Sequence, residues 1–109
     1  MSTTAVGREA EERASLFLQE SGYTILSRNF HSKFGEIDII ARKENVLHFC
    51  EVKYSKLYDP FIQITPLKMA KIIKTIGYYF LRHHENSDYE IDAILVTDEK
   101  IEFIKNISY

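Results

Sequence analysis

Cysteine is nearly missing from this chain: Cys50 is the only one in 109 residues. One thiol cannot close an internal disulfide, which excludes a small scaffold stapled by bridges. Its place mid-strand in VLHFCEVK reads as that of a small buried hydrophobe in a reducing cytoplasm. Long apolar runs are missing too, and none approaches the roughly 18 residues of a membrane span. The first residues, MSTTAVGREAEER, lack a basic region followed by an apolar one, so no secretory signal is expected and the expected location is cytoplasmic. No internal repeat, linker or low-complexity segment interrupts the chain. Excess charge is small as well: the net value of −2 argues against a general nucleic-acid coat.

What is present is ordinary for one globular domain spanning 1–109, with 45% hydrophobic and 28% charged residues. The charge is unevenly spread. Lys53, Lys56, Lys68, Lys71, Lys74 and Arg82 face only Asp59 between residues 53 and 82, a local balance of +5 that leaves −7 for the rest. That stretch is either a positive surface on an acidic protein or simply a solvated helix face.

The pattern predicts a helix over 4–21, capped by Thr3 or Thr4 and stopped at Gly22. Its packed face is expected to carry Ala10, Ala14, Phe17, Leu18 and Gly7, with Glu11, Glu12, Gln19 and Glu20 outward and Glu9 beside the packed face. A strand follows over 23–30, then a hairpin of 36–42 and 46–53. The segment 54–64 turns at Asp59-Pro60, and its Tyr54, Tyr58 and Phe61 either offer stacking surfaces or pack a loop. A second helix starts at Thr65 (N-cap) and Pro66 (first turn) and runs to about residue 84. Its expected core stripe is Met69, Ala70, Ile73, Ile76, Gly77 and Phe80. Two strands, 89–97 and 101–107, close the chain as a second hairpin. The order αβββαββ implies an α/β fold, a mixed β-sheet with helices on its faces.

The hairpin carries the chemistry. A two-residue turn at Glu44-Asn45 pairs Lys43 with Val46, Arg42 with Leu47, Ile40 with Phe49 and Asp38 with Glu51, and alternation puts Lys53 on the face of Glu51. Two carboxylates and an ammonium thus meet at one end of an apolar ribbon. They form either a salt-bridge cluster at a strand end or a site for Mg2+ (or Mn2+), a hard cation that prefers oxygen ligands. In the second case Asp38, Glu51 and the Val52 carbonyl hold the metal, which activates water and polarises a phosphodiester. Lys53 then stabilises charge developing on the phosphate.

Gly35-Glu36-Ile37-Asp38 followed by Glu51-Val52-Lys53 resembles the PD-(D/E)-x-K nuclease superfamily. With Gly7, Glu9, Leu18, Gly22-Tyr23, Arg28-Asn29, Phe49, Lys68 and Asn106-Ile107, nearly the whole chain resembles the YraN-like family of small bacterial proteins. The resemblance implies a restriction-endonuclease-like fold, close to archaeal Holliday-junction resolvases, with Asp38 and Glu51 as metal ligands and Lys53 as the catalytic lysine. Glu9 would be an auxiliary catalytic acid. Glu36 matches the motif as well and ranks below Asp38. Lys56, Lys68 and Lys71 would contact the DNA backbone, although the family's usual arginine two residues after the motif lysine is here Ser55, with Lys56 beside it.

His48, His83 and His84 lack zinc-site spacing and read as structural, as does Asp92; His31 is the histidine near the motif. The expected function is that of an Mg2+-dependent DNA endonuclease acting on branched or structured DNA, with a homodimer possible because two strands must be cut. The alternatives are a non-catalytic nucleic-acid-binding protein and a protein-interaction adaptor on the same fold.

Overall fold

The computed structural model describes residues 5–57 and 64–107; Thr3, Thr4 and the 58–63 segment with Tyr58, Asp59-Pro60 and Phe61 lie outside them. Helix α1 (Ala5–Glu20) leads into strands β1 (Thr24–Ser32), β2 (Gly35–Lys43) and β3 (Val46–Tyr54). Helix α2 (Pro66–His83) then crosses to β4 (Asp88–Val96), and β5 (Ile101–Ile104) ends the sheet. The five strands lie in sequence order, all neighbours antiparallel except β3 and β4. Parallel pairing demands a long crossover, and α2 is that crossover. This is the αβββαββ, restriction-endonuclease-like arrangement expected. Among the described residues no helix is long and apolar enough to cross a membrane.

Local chemistry explains the joints. Leaving α1, Gly22 takes φ +93°, a left-handed conformation that costs glycine little. Glu44 and Asn45 both have positive φ (53° and 66°), the signature of a two-residue hairpin turn whose twist matches its strands. That turn fixes the register Lys43–Val46, Arg42–Leu47 and Ile40–Phe49, as expected. The side chain of Thr65 caps α2 by accepting the Lys68 N–H, and Pro66 fills the first turn.

Two apolar cores sandwich the sheet. On one face α1 lays Ala10, Ala14 and Leu18 against Ile39, Ala41, Cys50, Ile94 and Val96. On the other, α2 packs Ile72, Ile76 and Tyr79 against Ile37, Ile40, Leu47, Phe49 and Ile91. Cys50 is buried as expected. The expected face of α2 is rotated: Ile72, Thr75, Ile76 and Tyr79 are buried, whereas Ile73 is 49% exposed and Ala70 and Gly77 are exposed. Tyr79 explains the rotation, because its ring meets Phe30 and Phe49 edge-on, which a face centred on Ile73 would forbid.

Candidate active site

Strands β2 and β3 pair only as far as Ile39 and Cys50. Beyond that point Asp38 and Glu51 are not a ladder pair. The Asp38 carboxylate instead turns toward β3 and accepts the Val52 N–H at 2.8 Å, standing in for the missing backbone bond. The backbone is irregular here: on β2, Ile39 packs toward α1 and Ile37 toward α2, and Asn29, near this point on β1, has φ 53°. This irregularity overturns the strict alternation expected of β2, and Glu36, two residues before Asp38, lines the same cleft.

The cleft has a volume of about 650 Å³. Its acids are Glu11 from α1, Glu36 and Asp38 from β2, and Glu51 from β3; Lys53, Lys68 and Lys71 supply the cations. Glu51 is buried, with one carboxylate oxygen 3.5 Å from Lys68 Nζ. Its other oxygen, Oε2, is buried with no hydrogen-bond partner among the described residues. Burial and then the neighbouring Asp38 raise the Glu51 carboxyl from 4.5 to about 8. Asp38 is raised from 3.8 to about 6, chiefly by burial and partly by Glu11, although its bond from Val52 opposes the rise. Crowded carboxylates with an orphaned oxygen are short of positive charge, and hard oxygen donors of this kind suit a divalent cation.

A model of the uncharacterised protein family UPF0102 matches residues 10–96. A UPF0102 protein of Helicobacter pylori strain Shi470 is 51% identical over 105 residues, covering 96% of this chain and 92% of the relative. Another, from Campylobacter hominis, is 52% identical over 103 residues, covering 94% and 92%. A third, from Campylobacter fetus subsp. fetus, is 48% identical over 104 residues, covering 94% and 93%. The chain belongs to the UPF0102 family.

Within this UPF0102 chain the expected site residues separate. Asp38, Glu51, Val52, Lys53, Lys68 and Lys71 all line the cleft. Glu9 does not: it is exposed on α1, and the helix presents Glu11 to the cleft instead, only 4% exposed. This corrects the outward placement of Glu11. Lys56 is also elsewhere, in a second depression with Leu57 and Thr97–Lys100. Nor is Lys68 only a surface cation, since it forms an ion pair with Glu51, the part that the salt-bridge alternative gave to Lys53.

A second polar cluster lies beyond the cleft. His48 Nδ1 is 2.7 Å from Asp92 Oδ2 and 3.4 Å from Glu90 Oε2, and Asp92 Oδ1 accepts the Asn106 N–H at 2.8 Å. His48 and Asp92 are 4% and 0% exposed, and the Tyr23 ring meets His48 edge-on. His31, by contrast, is exposed and lies 3.5 Å from Glu36.

Proposed function

We propose that this protein is a divalent-metal-dependent endonuclease that hydrolyses DNA phosphodiester bonds, with branched or structured DNA as its substrate. One observation carries the reading: Glu11, Asp38 and Glu51 line one open cleft in which a buried Glu51 oxygen has no hydrogen-bond partner among the described residues, under a rim of lysines.

Asp38, Glu51 and Glu11 would hold Mg2+ or Mn2+. When bound, such an ion lowers the pKa of a coordinated water and offsets charge on a phosphoryl group. The chain's own residues supply the rest. Asp38 is oriented by the Val52 N–H, so its carboxylate meets the ligand in one rotamer. Lys53 is exposed at the cleft, where its ammonium stabilises charge developing on the scissile phosphate. Lys68 divides its charge between Glu51 and the approaching strand, and Lys71 extends the phosphate-binding rim one turn along α2. Junction cutting would need two such clefts, which a homodimer provides.

The test is incubation of the purified protein with linear, single-stranded and four-way-junction DNA, with and without Mg2+ or Mn2+. Metal-dependent cleavage that disappears in Asp38→Ala and Lys53→Ala supports the proposal. Binding without cleavage moves the reading to a non-catalytic nucleic-acid-binding protein, and no binding at low salt leaves an interaction adaptor.

A further inference from the structure

The β1–β2 hairpin tip carries a large apolar side chain, Phe34, that belongs to neither core. It is half-buried, and two ammoniums flank its ring: Lys33 Nζ at 5.3 Å and Lys74 Nζ at 5.6 Å from the centroid. Among the described residues neither lysine has a carboxylate within ion-pair distance. The tip is also fixed in place. Ser32 Oγ accepts the Phe34 N–H at 3.0 Å and lies 3.0 Å from Thr75 Oγ1, a buried hydroxyl of α2 that donates to the Lys71 carbonyl. The next residue, Gly35, lines the cleft, and a Cβ built on it would lie 3.7 Å from the Lys71 side chain. Hairpin tip and helix are therefore locked together beside the acids.

We propose that Phe34 is a stacking platform for an unpaired base of the nucleic acid that enters the cleft, with Lys33 and Lys74 taking the flanking phosphates. The inference rests on the endonuclease reading and narrows its substrate to DNA with unpaired nucleotides beside the scissile bond. A half-buried phenyl ring held rigidly gives a base a π-face at little entropic cost, and aromatic rings interleaved with cations are how single strands are gripped without sequence preference. The lysines now over the ring are long and weakly held. On binding, an ammonium leaves the ring for a phosphate oxygen and the base takes the vacated face. A blunt duplex keeps its bases stacked on each other and has nothing to offer Phe34.

The experiment measures fluorescence anisotropy in metal-free, low-salt buffer with the full chain carrying Asp38→Asn, so that nothing is cut. The probes are a labelled 12-nucleotide single strand, the same sequence as RNA, a blunt duplex, and a duplex with an unpaired arm. Adding Phe34→Ala should weaken the single strand and the armed duplex about tenfold, the equivalent of about 1.4 kcal/mol of stacking, and the blunt duplex less than twofold. Adding Phe34→Trp should keep the affinity, with indole fluorescence quenched on binding. Phe34→Leu, which keeps an apolar side chain at the tip, should match Phe34→Ala in binding while its melting temperature stays at that of the parent. Equal loss on all DNA probes, or no loss on any, overturns the proposal, as does indole fluorescence in Phe34→Trp that binding leaves unquenched. The outcomes also separate the two readings. If the parent binds no probe, both fall; if binding depends on Phe34 but the wild-type chain never cuts with Mn2+, the platform stands and the endonuclease falls. Tighter binding of the RNA strand would overturn DNA as the substrate.

Discussion

Two clusters of carboxylates touch strand β3, and the fold treats them very differently. His48, Glu90 and Asp92 lie where β3 and β4 run in parallel register, His48 opposite Glu90 and Cys50 opposite Asp92. Both Asp92 oxygens have a hydrogen-bond partner, and Tyr23 closes over His48. Among the described residues Glu90 Oε2 makes no hydrogen bond, and it lies 3.4 Å from His48 Nδ1 and 3.9 Å from Lys105 Nζ. Asp38, Glu51 and Glu11 lie where β2 and β3 part company, and there a Glu51 oxygen is left unmet beside an open cleft. Residue type is nearly the same in both places. What differs is the setting, closed over by Tyr23 in the first and open at the cleft in the second, and only the second offers its carboxylates to a ligand from outside under the function proposed above.

Substitution should break this contrast most sharply. Asp38→Asn keeps the shape of the side chain but weakens its hold on a cation, and cleavage in Mg2+ should fall by about a thousandfold, in the range seen when a key electrostatic group is lost. Its melting temperature should stay level or rise, because a buried like-charge contact with Glu11 and Glu51 is removed. Asp92→Ala should do the reverse. It takes a hydrogen-bond partner from buried His48 and from the Asn106 N–H, and a buried polar group left unsatisfied typically costs about 1–3 kcal/mol. Urea titrations of both variants check the pair: a larger loss in Asp38→Asn than in Asp92→Ala would invert the assignment.

Part of this is legible in the sequence, and the rest is concealed for physical reasons. Strand pairing from Arg42–Leu47 to Ile40–Phe49 follows from a two-residue turn and simple counting, and it is observed. Counting fails at Asp38, where the ladder ends and side chain replaces backbone as acceptor. No local pattern in GEIDII marks that break. The face of α2 is rotated because aliphatic Ile73 competes with aromatic Tyr79 for the core, and only the ring contacts of Phe30 and Phe49 decide it. His48 and Asp92 read as structural on spacing alone; the distances supply the physical ground for that reading.

Acidity offers a subtler separation. A carboxyl raised on folding holds its proton in the native state after the unfolded chain has released it, so stability falls as pH rises from the unfolded value to the folded one. Between about pH 4 and 6, Asp38, Asp92 and Glu51 all contribute to the loss. From pH 6 to 8 the decline belongs to Glu51, whose carboxyl is raised to about 8. Melting temperatures of the metal-free protein should therefore drop across pH 6–8, and Glu51→Gln should flatten that segment only. Millimolar Mn2+ should flatten it too, since a bound cation favours the ionised carboxylate. A slope untouched by Glu51→Gln would place its origin elsewhere.

The smallest expected effect distinguishes two glutamates two residues apart. Helix α1 buries Glu11, Ala14, Ser15 and Leu18, a run at spacings of three and four, while Glu9 stays in solvent. An acid inside an otherwise apolar or small stripe is the signal the sequence carries, and the alanines at 10 and 14 mask it by offering an equally good face. Glu11 raises the Asp38 carboxyl and lines the same cleft, whereas Glu9 is felt by Tyr54 on β3. Glu11→Gln should weaken Mn2+ binding by about tenfold, the loss expected when one supporting carboxylate leaves a metal site, and should lower cleavage in parallel. Glu9→Gln should change either quantity by less than twofold. Isothermal titration of Mn2+ into both variants decides between them, because the alternative, in which Glu11 only pads the helix, predicts two identical isotherms and a difference confined to stability.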